Sequence, residues 1–296
     1  MEYTISLGSV IGLGFLLLMG VLLSFGVFAY IRIRHKAKAL PFFAGCLMTF
    51  VAGFMLMQIV HIVVLSGKFG EIVENNIWIY SLYFALASAL VEESCRLWTY
   101  RSMLRKKLDN DYNAMMFGAG QGGGEAIWML TISMAANYLV AVTIYQGHSD
   151  YFFQELTKEE TQLTIMILDQ LTQKPPVEIF MMAVERIGYC VMHIAMAVIV
   201  FFSANKKFMD WKFYFIALGV RFGFQFVATL APLLNLHCVA SALIICAASV
   251  VCAVVAWKIW QDEHVDLPEP EPEPEIEEAE EEYEEPEYDE EEEYED

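Results

Sequence analysis

The chain has no surplus of base and carries no lysine or arginine after Lys258. Its 296 residues hold 18 Lys and Arg against 38 Asp and Glu. A nucleic-acid binder needs a basic face to displace counterions, so that class is excluded. Cysteine pairs are also missing. Cys46, Cys95, Cys190, Cys238, Cys246 and Cys252 all sit in apolar runs, and none forms a Cys-x-x-Cys. That excludes a disulfide framework or a zinc knuckle and leaves buried, inert thiols. The first apolar run has no basic residues ahead of it and no clear small-x-small site after it, so it reads as a span rather than a cleavable leader.

Charge of either sign is scarce over most of the length. Asp262–Asp296 holds 22 of the acids, which leaves 16 against all 18 bases in residues 1–261, a net near +2. With 57% apolar residues and a mean hydropathy of +0.43, the body is too apolar for an ordinary soluble enzyme. The tail 262–296, with its Pro-Glu repeat and Glu blocks around Tyr283, Tyr288 and Tyr294, cannot pack a core. It is expected to be a disordered cytoplasmic segment. A basic protein partner or divalent cations would suit it chemically.

A helix needs about 20 apolar residues to cross a bilayer. Seven stretches qualify: Ile5–Ile31, Pro41–Leu65, Ile77–Trp98, Tyr112–Tyr145, Val177–Phe202, Lys212–Leu234 and His237–Trp260. The fourth is long for one span and is expected to break at its glycines. The fold class is therefore an all-α polytopic membrane bundle of about seven helices, multi-pass in the cell membrane, with the lipid bilayer as its solvent. Basic clusters at Arg32–Lys38, Arg101–Lys107 and Lys206–Lys212 mark every second loop, which places the N-terminus outside and the C-terminus in the cytoplasm. Between spans four and five, Phe152, Phe153, Leu156, Leu163, Ile167 and Leu171 recur at helical spacing, so an amphipathic surface helix is expected in 148–176.

A charged group deep in a span costs at least ~2.5 kcal/mol and needs a partner or water. Four spans carry such groups: Glu92, Glu93 and Arg96; Gln121 and Glu125; Glu185, Arg186 and His193; Arg221 and Gln225. At 1.5 Å per residue, Glu92, Glu93, Gln121, His193 and Arg221 fall about 12–21 Å from the basic loop nearest each. They share a layer that one water-filled chamber, open to the cytoplasm, would satisfy. Arg96 is i+4 from Glu92 and i+3 from Glu93 and can reach either, so the trio should keep about one net negative charge. Phe117, Gln121 and Glu125 share a face. The glycines between them suit close helix contact.

These residues resemble the motifs of the YhfC family, grouped with the CAAX-protease, bacteriocin-processing and PrsW membrane proteins. Its Glu-Glu-x-x-Arg motif falls on Glu92, Glu93 and Arg96. Its glycine-rich segment falls on Phe117, Gly118, Gly120, Gly122, Gly123, Glu125 and Ala126, and its Glu-Arg with a later His on Glu185, Arg186 and His193. The resemblance implies peptide-bond hydrolysis in the membrane, with a membrane-embedded peptide or protein as substrate. Glu92 or Glu93 would activate water, Arg96 would hold the pair, Gln121 and His193 would orient water or stabilise the oxyanion, and Glu125 would be a second acid. Two of the motifs depart from the pattern. Gln121 stands where the family has His, and Gly219 and Gly223 bracket Arg221 where a His-x-x-x-Asp is expected. Gln is a poor metal ligand and does not ionise, so no cofactor is expected, although the resemblance carries a zinc with it. A glutamate-type hydrolase, whole or degenerate, is the leading reading. A non-catalytic member that binds membrane peptides is the alternative, and a small-solute transporter is a further one.

Overall fold

The structure, a computed structural model, describes residues 3–105, 110–154, 156–205 and 209–264. The acidic tail from Val265 onward lies outside the described residues, as do Lys106, Lys107, Lys206 and Lys207 of the basic loops. Among the described residues the secondary structure is entirely helical.

Helix α1 (Leu7–His35) starts at Ser6, whose hydroxyl caps the backbone of Ser9, and ends at Lys36 in the left-handed region. Helix α2 (Leu40–Leu65) is long enough to cross a membrane and contains a π-helical stretch, Phe50–Leu56. A short α3 (Lys68–Glu74) follows. Helix α4 (Ile77–Arg101) begins at Asn76, whose side chain accepts from two backbone N–H groups. Helix α5 (Tyr112–Tyr145) is continuous over 34 residues. The expected break at the glycines is absent, because each of them is held helical by close packing. The irregularity falls later, as a π-helical stretch at Ile127–Ile132.

Helix α6 (Lys158–Thr172) is the expected surface helix, shorter at its start. Phe152 and Phe153 belong to a separate 3₁₀ turn, because a capping box between Thr157 and Glu160 begins α6 afresh. Leu168 and Leu171 are buried, whereas Leu163, Met166 and Ile167 are exposed, as suits a helix lying at a membrane surface. Helices α7 (Pro176–Asn205), α8 (Trp211–Leu233) and α9 (Cys238–Glu263) complete the bundle.

Among the described residues six helices, α1, α2, α5, α7, α8 and α9, are long and apolar enough to cross a membrane. Helix α4 is 25 residues long and packs between α7 and α8, but it carries the three charges of the first motif and Arg101. It is the third of the seven spans expected from the sequence. Helix α7 is the axis of the bundle. Its most apolar window is 78% buried, against 17–44% for the other five spans, and α1, α4, α5, α8 and α9 all pack on it. The outer helices keep long apolar faces exposed, among them Leu18, Leu22, Leu139, Leu243 and Val251. Lipid is the solvent those faces require.

Glycines set how closely α5 sits in this packing. A Cβ on Gly120 would collide with the Phe42 carbonyl of α2, and one on Gly122 would lie 2.7 Å from the Cys190 Cα of α7. Gly45 of α2 makes the reciprocal approach to the Phe117 carbonyl. Small residues let backbones meet, which is how apolar helices associate where no water drives them together.

Candidate functional site

Close helix packing brings the polar groups of four helices, α4, α5, α7 and α8, into contact. Arg96 on α4 is fully buried and acts as a hub. It pairs with Glu93, its Nε donates to Gln121 Oε1 at 2.8 Å, and its NH2 group lies 3.4 Å from His193 Nδ1. A guanidinium only donates, so Nδ1 accepts and His193 Nε2 carries the proton. Nε2 then donates to Glu125 Oε2 at 2.8 Å. Glu125 Oε1 accepts from Arg186 at 2.5 Å, and the Arg186 guanidinium lies over the Tyr189 ring at 4.1 Å. Beside this chain, Arg221 on α8 donates to Glu92 Oε1 at 2.5 Å and to Gln225 Oε1 at 2.7 Å.

All six candidate residues of the sequence reading therefore converge, but their pairing differs. Arg96 does not choose between two carboxylates. It takes Glu93, and Arg221 takes Glu92. The expected net negative charge is gone, because Glu92, Glu93 and Glu125 are matched by Arg96, Arg221 and Arg186. An uncompensated buried charge is expensive, and each carboxylate has found its own cation. Arg186 serves Glu125, one helix away, and not its neighbour Glu185.

A cavity of about 240 Å³ opens beside these pairs. Glu92, Gln121, Glu125, His193 and Arg221 line one end. Glu93 and Arg96 do not, and both are sealed in the protein. Glu92 Oε1 is taken by Arg221, while its other oxygen has no protein partner among the described residues. Gln121 is held by Arg96 at its carbonyl end. Its Nε2 rests 2.6 Å from Met48 Sδ, and a thioether is a weak acceptor.

The cavity does not extend towards the end of the bundle that holds Arg101 and Lys212. From the ion pairs it runs towards the loop between α2 and α4, past Ser88, Phe84, Met57, Gln58 and His61. This is the end of the bundle away from Arg101 and Lys212, opposite to the opening expected from the sequence. On the Arg101 side the space is filled by Tyr100, Phe117 and Phe201, whose rings pack at 4.8 and 5.6 Å. The Tyr100 hydroxyl donates to the Ala197 carbonyl at 3.1 Å.

Thr49, Gln58, His61 and Ser88 are cavity residues that the sequence reading missed. A signal for them exists: they are polar side chains in otherwise apolar spans. A neutral Thr, Gln or Ser costs much less in a span than a charge does and so marks a site less sharply, and His61 stands outside every motif.

The family model described as YhfC intramembrane metalloprotease matches residues 19–245. An uncharacterized membrane protein YhfC of Bacillus subtilis (strain 168) is 26% identical over 203 residues, which are 68% of this chain and 77% of that protein. No solved structure matches. The metal that the family description implies does not fit this donor set. Among the described residues no three His, Cys, Asp or Glu side chains are placed to hold a metal ion together, and both His193 nitrogens, both Glu125 oxygens and one Glu92 oxygen are engaged by guanidinium groups or by each other. The matched region holds five of the seven long helices whole, α1 from residue 19 and α9 as far as residue 245, together with every residue of the cluster. This chain is a multi-pass membrane protein of the YhfC family, the family described as intramembrane metalloproteases.

Proposed function

We propose that the chain hydrolyses peptide bonds of membrane-embedded substrates without a metal, using Glu92 as the general base. The observation that carries this reading is the asymmetry of the glutamate pair. Glu93 is sealed against Arg96, whereas Glu92 lines the cavity with one oxygen anchored and the other without a protein partner. In this mechanism a cavity water gives a proton to Glu92 as its oxygen attacks the carbonyl carbon. The tetrahedral oxyanion takes a hydrogen bond from Gln121 Nε2, which gives up only a weak contact with sulfur. The C–N bond then breaks, and the proton held on Glu92 passes to the leaving amine. Glu93 and Arg96 position Gln121 and His193, and Arg186 holds Glu125 in place.

The test is cleavage of a membrane-spanning peptide by the purified protein in detergent. Loss of general-base catalysis typically costs 10²–10⁴-fold, so Glu92→Gln should lower kcat by at least about 10²-fold. A chelator should leave the native rate unchanged. A Glu92→Gln protein that cleaves at the native rate would refute the assignment, and cleavage abolished by chelator and restored by zinc would reinstate the metal. One observation favours a second reading: every carboxylate of the cluster is charge-balanced, and Gln121 replaces the family's ionisable histidine. A chamber in that state suits binding of membrane peptides without cleavage, and the same assay separates the two.

A further inference from the structure

The remote end of the cavity has its own chemistry. Helix α2 carries three side chains with hydrogen-bonding oxygen or nitrogen, Thr49, Gln58 and His61, and all three line the cavity. Around an uninterrupted α-helix they would not do so. Thr49 and His61 would stand about 120° apart, and Thr49 and Gln58 about 180° apart. The π-helical stretch Phe50–Leu56 lies between them. A π-turn closes on i+5 and so delays the rotation by about one residue, ~100°. That delay turns Gln58 and His61 towards the side of Thr49. The irregularity in α2 is thus what delivers polar groups to the cavity.

His61 is held in a fixed pose. Its Nδ1 meets Tyr83 Oη at 2.8 Å, and its ring stacks on Phe84 at 5.3 Å with the planes 10° apart. Nε2 has no partner among the described residues, and neither does the Gln58 amide three residues earlier. Phe84 is two turns before Glu92 on α4, so this polar pair stands about 12 Å along the helix axis from the general base. Phe54, Met57, Phe84 and Met129 form apolar wall between the two ends.

A helical peptide satisfies its own backbone and has no use for such groups. A peptide unwound for hydrolysis exposes N–H and C=O groups that cost several kcal/mol each if left bare in a membrane. We infer that Gln58 and His61 form a main-chain subsite for an unwound stretch of transmembrane peptide, with the apolar wall taking one of its side chains. This deepens the proposed hydrolase reading and rests on it for the substrate class. The subsite selects for local unwinding in the substrate, through amide donors and acceptors on α2.

The experiment is binding of two fluorescent membrane peptides to the full chain in detergent, with cleavage followed in parallel. One peptide is an uninterrupted Leu/Ala helix, and the other has Gly-Pro at its centre. The native protein and Glu92→Gln should both bind the Gly-Pro peptide at least about tenfold tighter than the helix. Gln58→Leu and His61→Phe, checked for native-like melting, should each weaken the Gly-Pro peptide five- to tenfold and leave the helix unchanged. His61→Gln keeps a polar donor and should retain most of the affinity. Equal binding of both peptides, or full affinity in Gln58→Leu and His61→Phe, overturns the subsite. Selective binding without any cleavage upholds the subsite while the hydrolase reading fails.

Discussion

At the scale of single residues, the ion pairs are not interchangeable. Glu93 and Arg96 are both fully buried, so removing the arginine alone strands a carboxylate with no water to solvate it. Breaking such a pair costs about 3–5 kcal/mol, whereas replacing both members by apolar groups can be nearly neutral. Arg96→Leu should therefore melt well below the native protein, and Glu93→Leu/Arg96→Leu should recover much of the loss. Arg221→Leu exposes Glu92 to the cavity and should cost less than Arg96→Leu. Thermal unfolding of the four proteins in one detergent checks the order. If Arg96→Leu melts within a degree or two of the native protein, the cluster is not a sealed network.

At the same scale, the capping box of α6 lies outside the spans and titrates. The Thr157 N–H and hydroxyl both donate to Glu160, and this holds its carboxyl below the usual carboxylate range. A depressed folded pKa adds stability above the unfolded value, and that stability is lost as pH falls through the folded one. The start of α6 should thus stay protected from hydrogen exchange at neutral pH and fray below about pH 4, close to the ordinary glutamate value. Protection that does not change from pH 7 to pH 3 would show that Glu160 contributes nothing there.

At the scale of elements, two glycines test how α5 is seated. Gly120 has the Phe42 backbone in the place a Cβ would occupy, and Gly26 on α1 has nothing within 4 Å. Gly120→Ala must push α2 and α5 apart, at the ~1–3 kcal/mol typical of overpacking. Gly26→Ala should be neutral or stabilising, since alanine is the better helix former. Melting temperatures should move in opposite directions, or only that of Gly120→Ala should fall. Because Gln121, the partner of Arg96, is the next residue on α5, Gly120→Ala should also lose peptide cleavage.

The helices themselves were largely legible in the sequence, with ends within about five residues, because hydrophobicity and length act locally. The motif residues were legible as well, since charge in a span is expensive wherever it occurs. The continuity of α5 was not legible. Glycine-rich sequence reads as a break unless the neighbours that pin each glycine are known. The π-turns of α2 and α5 left no mark in the residue pattern, and with them the inward turn of Gln58 and His61 was hidden.

At the scale of the whole molecule, the alternation of basic loops predicts an orientation that single-cysteine labelling can check. A cysteine at Ser149 should react only from outside, and one at Ala279 only from the cytoplasm. Labelling of both from one side would refute an odd number of spans and with it the membership of α4. The last helix runs to Glu263, and His264 pairs with Asp111 at 2.9 Å while stacking on Trp260. The folded body thus continues three residues past the boundary at residue 261 that composition suggests.

By itself the sequence determined that this is a membrane protein, where its spans lie, and which side chains are too costly there to be incidental. Those properties depend on the apolarity of each segment, and they hold whatever the neighbouring segments do. Only the tertiary structure decided which arginine neutralises which glutamate, that Glu92 and not Glu93 reaches the cavity, and towards which end of the bundle that cavity runs. These depend on the rotation of each helix about its axis and on the distance between axes. Both are set by glycine contacts and π-turns acting between residues far apart in the chain, such as Phe42 with Gly120 and Glu92 with Arg221.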